Sequence, residues 1–136
     1  HATATSAQYA DLAERYATDT PVEAGDVVML GGIEEITKCE EAVSDAVFGV
    51  VSSSPAYLMN SEAGNNDTHP AIALTGRVPV KVRGTGKAGD RIVSAGSGEA
   101  RVAAEDEATT FNTLGRLIKD KYNEETALTE CVIGVK

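Results

Sequence analysis

Residues 77–83, Arg-Val-Pro-Val-Lys-Val-Arg, alternate strictly between an apolar and a polar set. Val78, Val80 and Val82 fall on one side; Arg77, Pro79, Lys81 and Arg83 fall on the other. That period of two belongs to a strand with one buried face, and wrapping it as a helix would scatter the valines around the axis. Pro79 has no backbone donor, so the strand is expected at a sheet edge or beside a bulge.

The same texture recurs along the chain. Val and Ile total 20 residues against 7 Leu, a bias towards β-structure. Short apolar runs at Val27–Leu30, Ile33–Cys39, Ala46–Ser52, Ala56–Met59, Ala71–Leu74, Arg91–Ser94 and Ala100–Ala104 are separated by turn-forming clusters. Residues 111–122 start as a further strand around Leu114 and Leu117, and residues 130–136 form the last. Asn60–Pro70 is the longest loop. Two turns echo each other: Ala24-Gly25-Asp26 and Ala88-Gly89-Asp90 each lead into a hydrophobic strand, with a glycine free to take positive φ and a carboxylate placed to bond the following backbone N–H groups. The pattern predicts a mainly β fold, a compact barrel or sandwich of short strands.

The N-terminal end differs. Residues 1–5 are small and polar, as in a connector, and residues 6–17 are rich in helix formers with Ser6 available as a cap. Tyr9, Leu12, Ala13 and Tyr16 recur at helical spacing and form one apolar stripe, a candidate oligomer interface. A short N-terminal helix is expected there, with an extended arm as the alternative. The chain thus divides into a connector and oligomerisation segment, 1–20, and a β-rich domain, 21–136.

Bulky interior side chains are scarce. Of the apolar residues 20 are Ala, and only six residues are aromatic, so burial inside one protomer is thin and packing against identical copies is expected to add to it. Cys39 and Cys131 lie too far apart for a zinc-knuckle spacing and sit in or beside apolar strands; they are read as small buried residues, with a disulfide as the alternative.

A net charge of -9 gives no general attraction for nucleic acid or anionic membranes, and no apolar run approaches the ~20 residues of a spanning helix. Neither nucleic acid binding nor membrane insertion is expected. Charge is unevenly spread: residues 1–70 are strongly acidic, whereas 77–101 carry six cations, Arg77, Lys81, Arg83, Lys87, Arg91 and Arg101. The two segments are expected to face each other, within a chain or between copies. Otherwise the face bearing Arg77, Lys81, Arg83 and Lys87, together with the loop Asn60–Pro70, is the place for a ligand or partner.

Catalytic patterns are absent. His69 stands alone in a loop, and Ser52-Ser53-Ser54 lacks the G-x-S-x-G spacing of a nucleophile elbow. Gly84-Thr85-Gly86-Lys87 lacks the P-loop spacing and reads as a β-turn. Glu34/Glu35 and Glu40/Glu41 read as solvated faces, and no cluster has metal-ligand spacing. The expectation is a non-enzyme without cofactor or metal.

The segments SAQYADLAERY, GDVVMLGG, VFGVVSSSPAYLMNS, ALTGRVPVKV and KAGDRIVSAGSGEAR, in that order and closed by LGRLIKDK, resemble a domain near the C-termini of tailed-phage tail-fibre and virion structural proteins of cyanophage-like type. The resemblance runs over roughly residues 6–121. It implies a structural component of the virion, an appendage module assembling as a homotrimer, with other virion proteins as partners and a host surface glycan or protein as a possible contact. A capsid decoration or head-fibre protein, or an intramolecular chaperone that cuts itself from the fibre, is the alternative implied by related phage domains.

Overall fold

The computed structural model describes residues 10–136. They form ten strands: β1 Ala10–Arg15, β2 Val27–Leu30, β3 Ile36–Lys38, β4 Val47–Val51, β5 Tyr57–Met59, β6 Ala71–Arg83, β7 Arg91–Gly96, β8 Glu99–Val102, β9 Gly115–Leu117 and β10 Ala127–Ile133. No helix occurs among the described residues.

The organising element is β6, which serves two layers with its two halves. Its second half closes a five-stranded barrel: β6 pairs with β8 in parallel, β8 with β7, β7 with β9, β9 with β10, and β10 returns to β6 antiparallel from Ala127↔Val82 to Ile133↔Gly76. Its first half carries β1 and β4 on opposite sides, and β2 and β3 continue the sheet beyond β4. The alternation read at 77–83 holds: Val78, Val80 and Val82 are buried in the barrel core with Ile92, Ala100, Leu114, Leu117 and Cys131. A second, smaller cluster of Val28, Ile36, Val51 and Ile72 sits under Tyr16, Val22, Phe48 and Leu74.

Thr75-Gly76, expected to separate two strands, lies inside one 13-residue strand. Gly76 takes φ +108, and a Cβ there would strike the Ala10 carbonyl. At Gly76 and Arg77 the strand is paired on both edges, with β1 through Asp11 and Ala10 and with β10 through Ile133 and Val132; beyond them the β1 ladder ends and the β10 ladder continues. Pro79 has the expected edge character on one side only, since β10 pairs its other side at Glu130. Lys81 N donates to Gly25 O on the side away from β10, and two residues earlier the missing donor of Pro79 faces the same way. Among the described residues that interval, between the Ala10↔Arg77 pair and Gly25, has no ladder partner.

The helix expected over 6–17 is not formed in its described part. Residues 10–15 are extended, flanked by β5 in parallel and β6 antiparallel. Helical propensity over so short a segment amounts to tenths of a kcal/mol per residue, and two ladders outweigh it. Asp11 and Ala13 turn inward. Residues 16–20 continue against the sheet: Thr18 N donates to Thr68 O, and Asp19 N to Ile36 O. The stretch 10–20, expected to be a connector, is thus hydrogen-bonded to the rest of the domain.

The two Ala-Gly-Asp turns have one geometry. Gly25 and Gly89 take φ of 92° and 93°. Asp26 N donates to Glu23 O and Asp90 N to Lys87 O, closing a type II turn in each case. The carboxylates reach backwards, not forwards: Asp26 Oδ2 accepts from Glu23 N at 2.8 Å and Asp90 Oδ2 from Lys87 N at 2.9 Å. Both cysteines are free thiols in the core.

Candidate functional site

The residues singled out from sequence are dispersed by the fold. Strand geometry puts Leu12 and Ala13 on opposite faces; Ala13 is wholly buried in its own chain, and Tyr16 packs edge-on against Phe48 with ring centroids 5.1 Å apart. Tyr9 lies outside the described residues. The apolar stripe of helical spacing is therefore not a surface in the described part, because the spacing that aligns these residues belongs to a conformation the segment does not adopt.

Three of the four cations proposed as a ligand face are neutralised within the chain. Arg77 meets Glu130 at 3.0 Å, Arg83 meets Glu99 at 2.7 Å, and Lys81 lies 2.8 Å from Glu23 and 2.7 Å from Asp26. Lys87 is exposed. Burial acts to lower the Lys81 pKa, but its bonds to Asp26 and Glu23 prevail and hold it above the ordinary lysine value. Only Lys81 among these four joins the acidic first half to the basic middle; Arg77 turns to β10, Arg83 stays within its own segment, and Arg101 forks onto Glu107 with two bonds of 2.8 Å. The loop Asn60–Pro70 is pinned by Arg15, whose Nη1 donates to Asn66 Oδ1 at 2.9 Å and His69 O at 2.7 Å. His69 Nδ1 lies 2.9 Å from the Thr68 hydroxyl.

One set of side chains that does converge on an open concavity lies where the segment after β9 runs beside β10; two other surface concavities, of 530 and 390 Å³, lie along Gly89–Arg91 and at Thr18–Val22. Lys119, Asp120, Lys121, Tyr122, Asn123, Ala127, Leu128, Thr129 and Glu130 line a groove of 380 Å³. Its shape begins with Lys121, a lysine only 6% exposed. The ammonium donates to Gly84 O at 2.7 Å, Asn123 O at 2.8 Å, Asn123 Oδ1 at 3.1 Å and Glu125 O at 2.6 Å. Four neutral oxygens share its protons, and each of these carbonyl groups gains a partner through the charge. The backbone of Lys121 also exchanges both bonds with Gly86, at 2.8 and 3.0 Å. The segment is thereby fastened at its centre to the end of β6.

On either side of this anchor stand Asp120 and Tyr122. Asp120 Oδ1 accepts from Ala88 N at 2.7 Å, and its Oδ2 accepts from the Tyr122 hydroxyl at 3.0 Å. The Ala88 amide foremost, then the Tyr122 hydroxyl, hold the Asp120 carboxyl below its ordinary pKa; the same hydrogen bond and the Asp120 charge raise that of Tyr122. Tyr122 is nonetheless 85% exposed. Across the groove Leu128, 59% exposed, leans on the Gly25 turn so closely that a Cβ at Gly25 would collide with it. Lys119 bonds Glu130 at 2.9 Å on the rim. Four charged groups, Lys119, Lys121, Asp120 and Glu130, line the groove and sum to zero. In sequence, Tyr122 showed only as an aromatic in a polar run. Its hydroxyl partner is close by, but the anchor beneath depends on Gly84, far off in the chain.

No protein-family model matches the chain, and no curated protein matches it in sequence. Among solved structures, the C-terminal fragment of bacteriophage phi29 gene product 12 is similar, with a TM-score of 0.64 at 15% identity over 93% of this chain and 100% of that fragment. The pre-mature bacteriophage phi29 gene product 12 is similar to the same degree, TM-score 0.64 at 15% identity, over 94% of this chain but 22% of that longer one. At this identity the likeness is one of fold.

Proposed function

We propose that this chain is a structural, non-enzymatic module of a bacteriophage virion, part of a tail fibre or similar appendage, that assembles as a homotrimer with other virion proteins as neighbours. One observation supports it above the others: the whole extent of the bacteriophage phi29 gene product 12 C-terminal fragment shares this fold with 93% of this chain. The collinear sequence blocks point the same way. The aromatic residues Tyr57 and Phe111 stand on the surface, where they add nothing to the protomer's own core and are available to a partner. Light scattering of the purified domain tests the assembly, with a trimer mass expected and a monomer at high concentration contradicting it. Labelled antibody on intact particles tests the location; label on tails supports an appendage, and label confined to heads supports a decoration or head-fibre protein instead.

A second reading is self-release from a longer chain. It is favoured by the relationship between the two similar solved structures, one a C-terminal fragment and the other a pre-mature form of which the matching part is 22%. Mass spectrometry of this domain produced behind an upstream segment tests it: a new terminus close to residue 1 after folding supports release, and an unchanged mass removes it.

A further inference from the structure

We propose that the groove between Tyr122 and Leu128 is a binding subsite for an uncharged sugar ring, with Tyr122 as the stacking platform. The inference stands on the groove alone and does not need the appendage function.

Rigidity supplies the first reason. An aromatic ring left almost wholly in water gains nothing for folding, yet this one is held by the Asp120 bond at 3.0 Å, while the backbone beside it is anchored by the buried Lys121 ammonium. A ring already fixed loses little rotamer freedom when a ligand arrives, which is the economy of a preorganised site. The nature of the surface supplies the second. One ring face and one leucine are interleaved with Asp120, Asn123, Thr129 and the Lys119–Glu130 pair. A pyranose has the matching character: a face of C–H groups that stacks on an aromatic ring and an equatorial rim of hydroxyls that both donate and accept.

Size and charge discriminate against other occupants. A protein partner or a second copy needs roughly 1,000 Å² of complementary surface, whereas the exposed apolar part of this groove is Tyr122 and Leu128, with Ala127 half-buried beside them. A volume of 380 Å³ lies instead at the lower end of small-molecule sites, roughly 300–1,000 Å³. The groove's charges cancel, so nothing in it selects a phosphate or a sugar acid. Openness to solvent makes the affinity weak, with a Kd on the order of 1 mM.

The test is NMR titration of the ¹⁵N-labelled protein with glucose, galactose and N-acetylglucosamine, each to saturation, with glucose 6-phosphate as the anionic comparison. Saturable shifts confined to 119–130 with at least one neutral sugar are expected. Tyr122→Ala should weaken that binding at least 10-fold, Tyr122→Phe should keep most of it, and Tyr57→Ala, an exposed tyrosine elsewhere, should leave it unchanged. Absence of saturable shifts with all three sugars, or shifts indifferent to Tyr122→Ala, overturns the proposal; so does tighter binding of the phosphate ester. Light scattering on Tyr122→Ala separates this from assembly: an unchanged mass is expected, and dissociation would make the groove a contact between copies and end the sugar proposal.

Discussion

The Asp26 carboxylate, 1% exposed, lies 2.7 Å from Lys81 Nζ. The pair joins the Ala24-Gly25-Asp26 turn before β2 to the second half of β6, and so ties the flanking sheet to the barrel. Lys38 approaches the same carboxylate from β3 at 3.9 Å, and Glu23 takes the other side of Lys81 at 2.8 Å. A buried carboxylate facing a cation is stable only as an ion pair, and removing one partner leaves the other desolvated and uncompensated.

Asp26→Asn should therefore cost about 3 kcal/mol, in the range for breaking one partner of a buried pair. Lys81→Met should cost less, because Lys38 remains near Asp26 while the methionine keeps much of the apolar stem. Urea denaturation of both variants and the double mutant measures the coupling, expected above ~1 kcal/mol for contacting residues; additive effects would show that the two groups act independently.

Acid sensitivity centres on Glu107. The Arg101 fork first, and then the Ala104 amide, lower its pKa from 4.5 to about 2. A carboxyl depressed on folding contributes stability that is present above the unfolded value and is lost as pH falls through the folded one. The melting temperature should fall between about pH 4.5 and pH 2, and Glu107→Gln should be less stable at pH 7 but shallower across that window. Glu23, Glu130, Asp19 and Asp120 are shifted in the same direction and should preserve part of the slope.

Val43 takes φ 54°, a left-handed conformation that a β-branched residue adopts at a cost of about 1–3 kcal/mol. It is held there from β7: Val43 N donates to Ser94 O at 2.8 Å, and Ser44 N to Ser94 Oγ at 2.9 Å, while Ser94 Oγ donates to Glu41 O at 2.8 Å. Val43→Gly should be neutral or stabilising by about 1 kcal/mol, since relief of strain offsets the added chain entropy of glycine. Ser94→Ala should cost about 2 kcal/mol by leaving buried groups without partners. Chemical denaturation of both variants checks the pair; a strongly destabilised Val43→Gly would mean the residue is not strained.

Burial of the Cys131 thiol, aided by the Glu130 charge, raises its pKa from 9.0 to about 12. The native protein should resist alkylation by iodoacetamide at pH 8 and take two labels once unfolded without reductant, as both thiols are free. The sign for stability is that of a raised pKa: its contribution is full below about pH 9 and is lost as pH rises towards 12. Labelling that requires prior reduction would instead reveal a disulfide.

Much of this architecture was legible one residue at a time. The valines of 77–83, the apolar runs that became β2, β4 and β7, and the matched turns at Gly25 and Gly89 are set by local rules: side-chain alternation, β-branching, and the freedom of glycine at positive φ. These need no knowledge of distant neighbours. Leu12, Ala13 and Tyr16 did not form the stripe their spacing suggested, for the converse reason, and Tyr9 lies outside the described residues. Their helical spacing was real, but helix propensity is a small quantity, and for residues 10–15 it was overruled by β5 and β6 on either side.

By itself, then, the sequence determined a β protein of short strands, with its inward and outward faces and its principal turns, because those follow from interactions between residues near in the chain. The tertiary structure alone decided that β6 runs unbroken through Gly76, that Lys81 faces Asp26, and that a lysine anchored on Gly84 sets Tyr122 over a groove. Each of these joins residues tens of positions apart, and only the seating of the flanking sheet on β6 and the closure of the barrel bring their charges and carbonyls together.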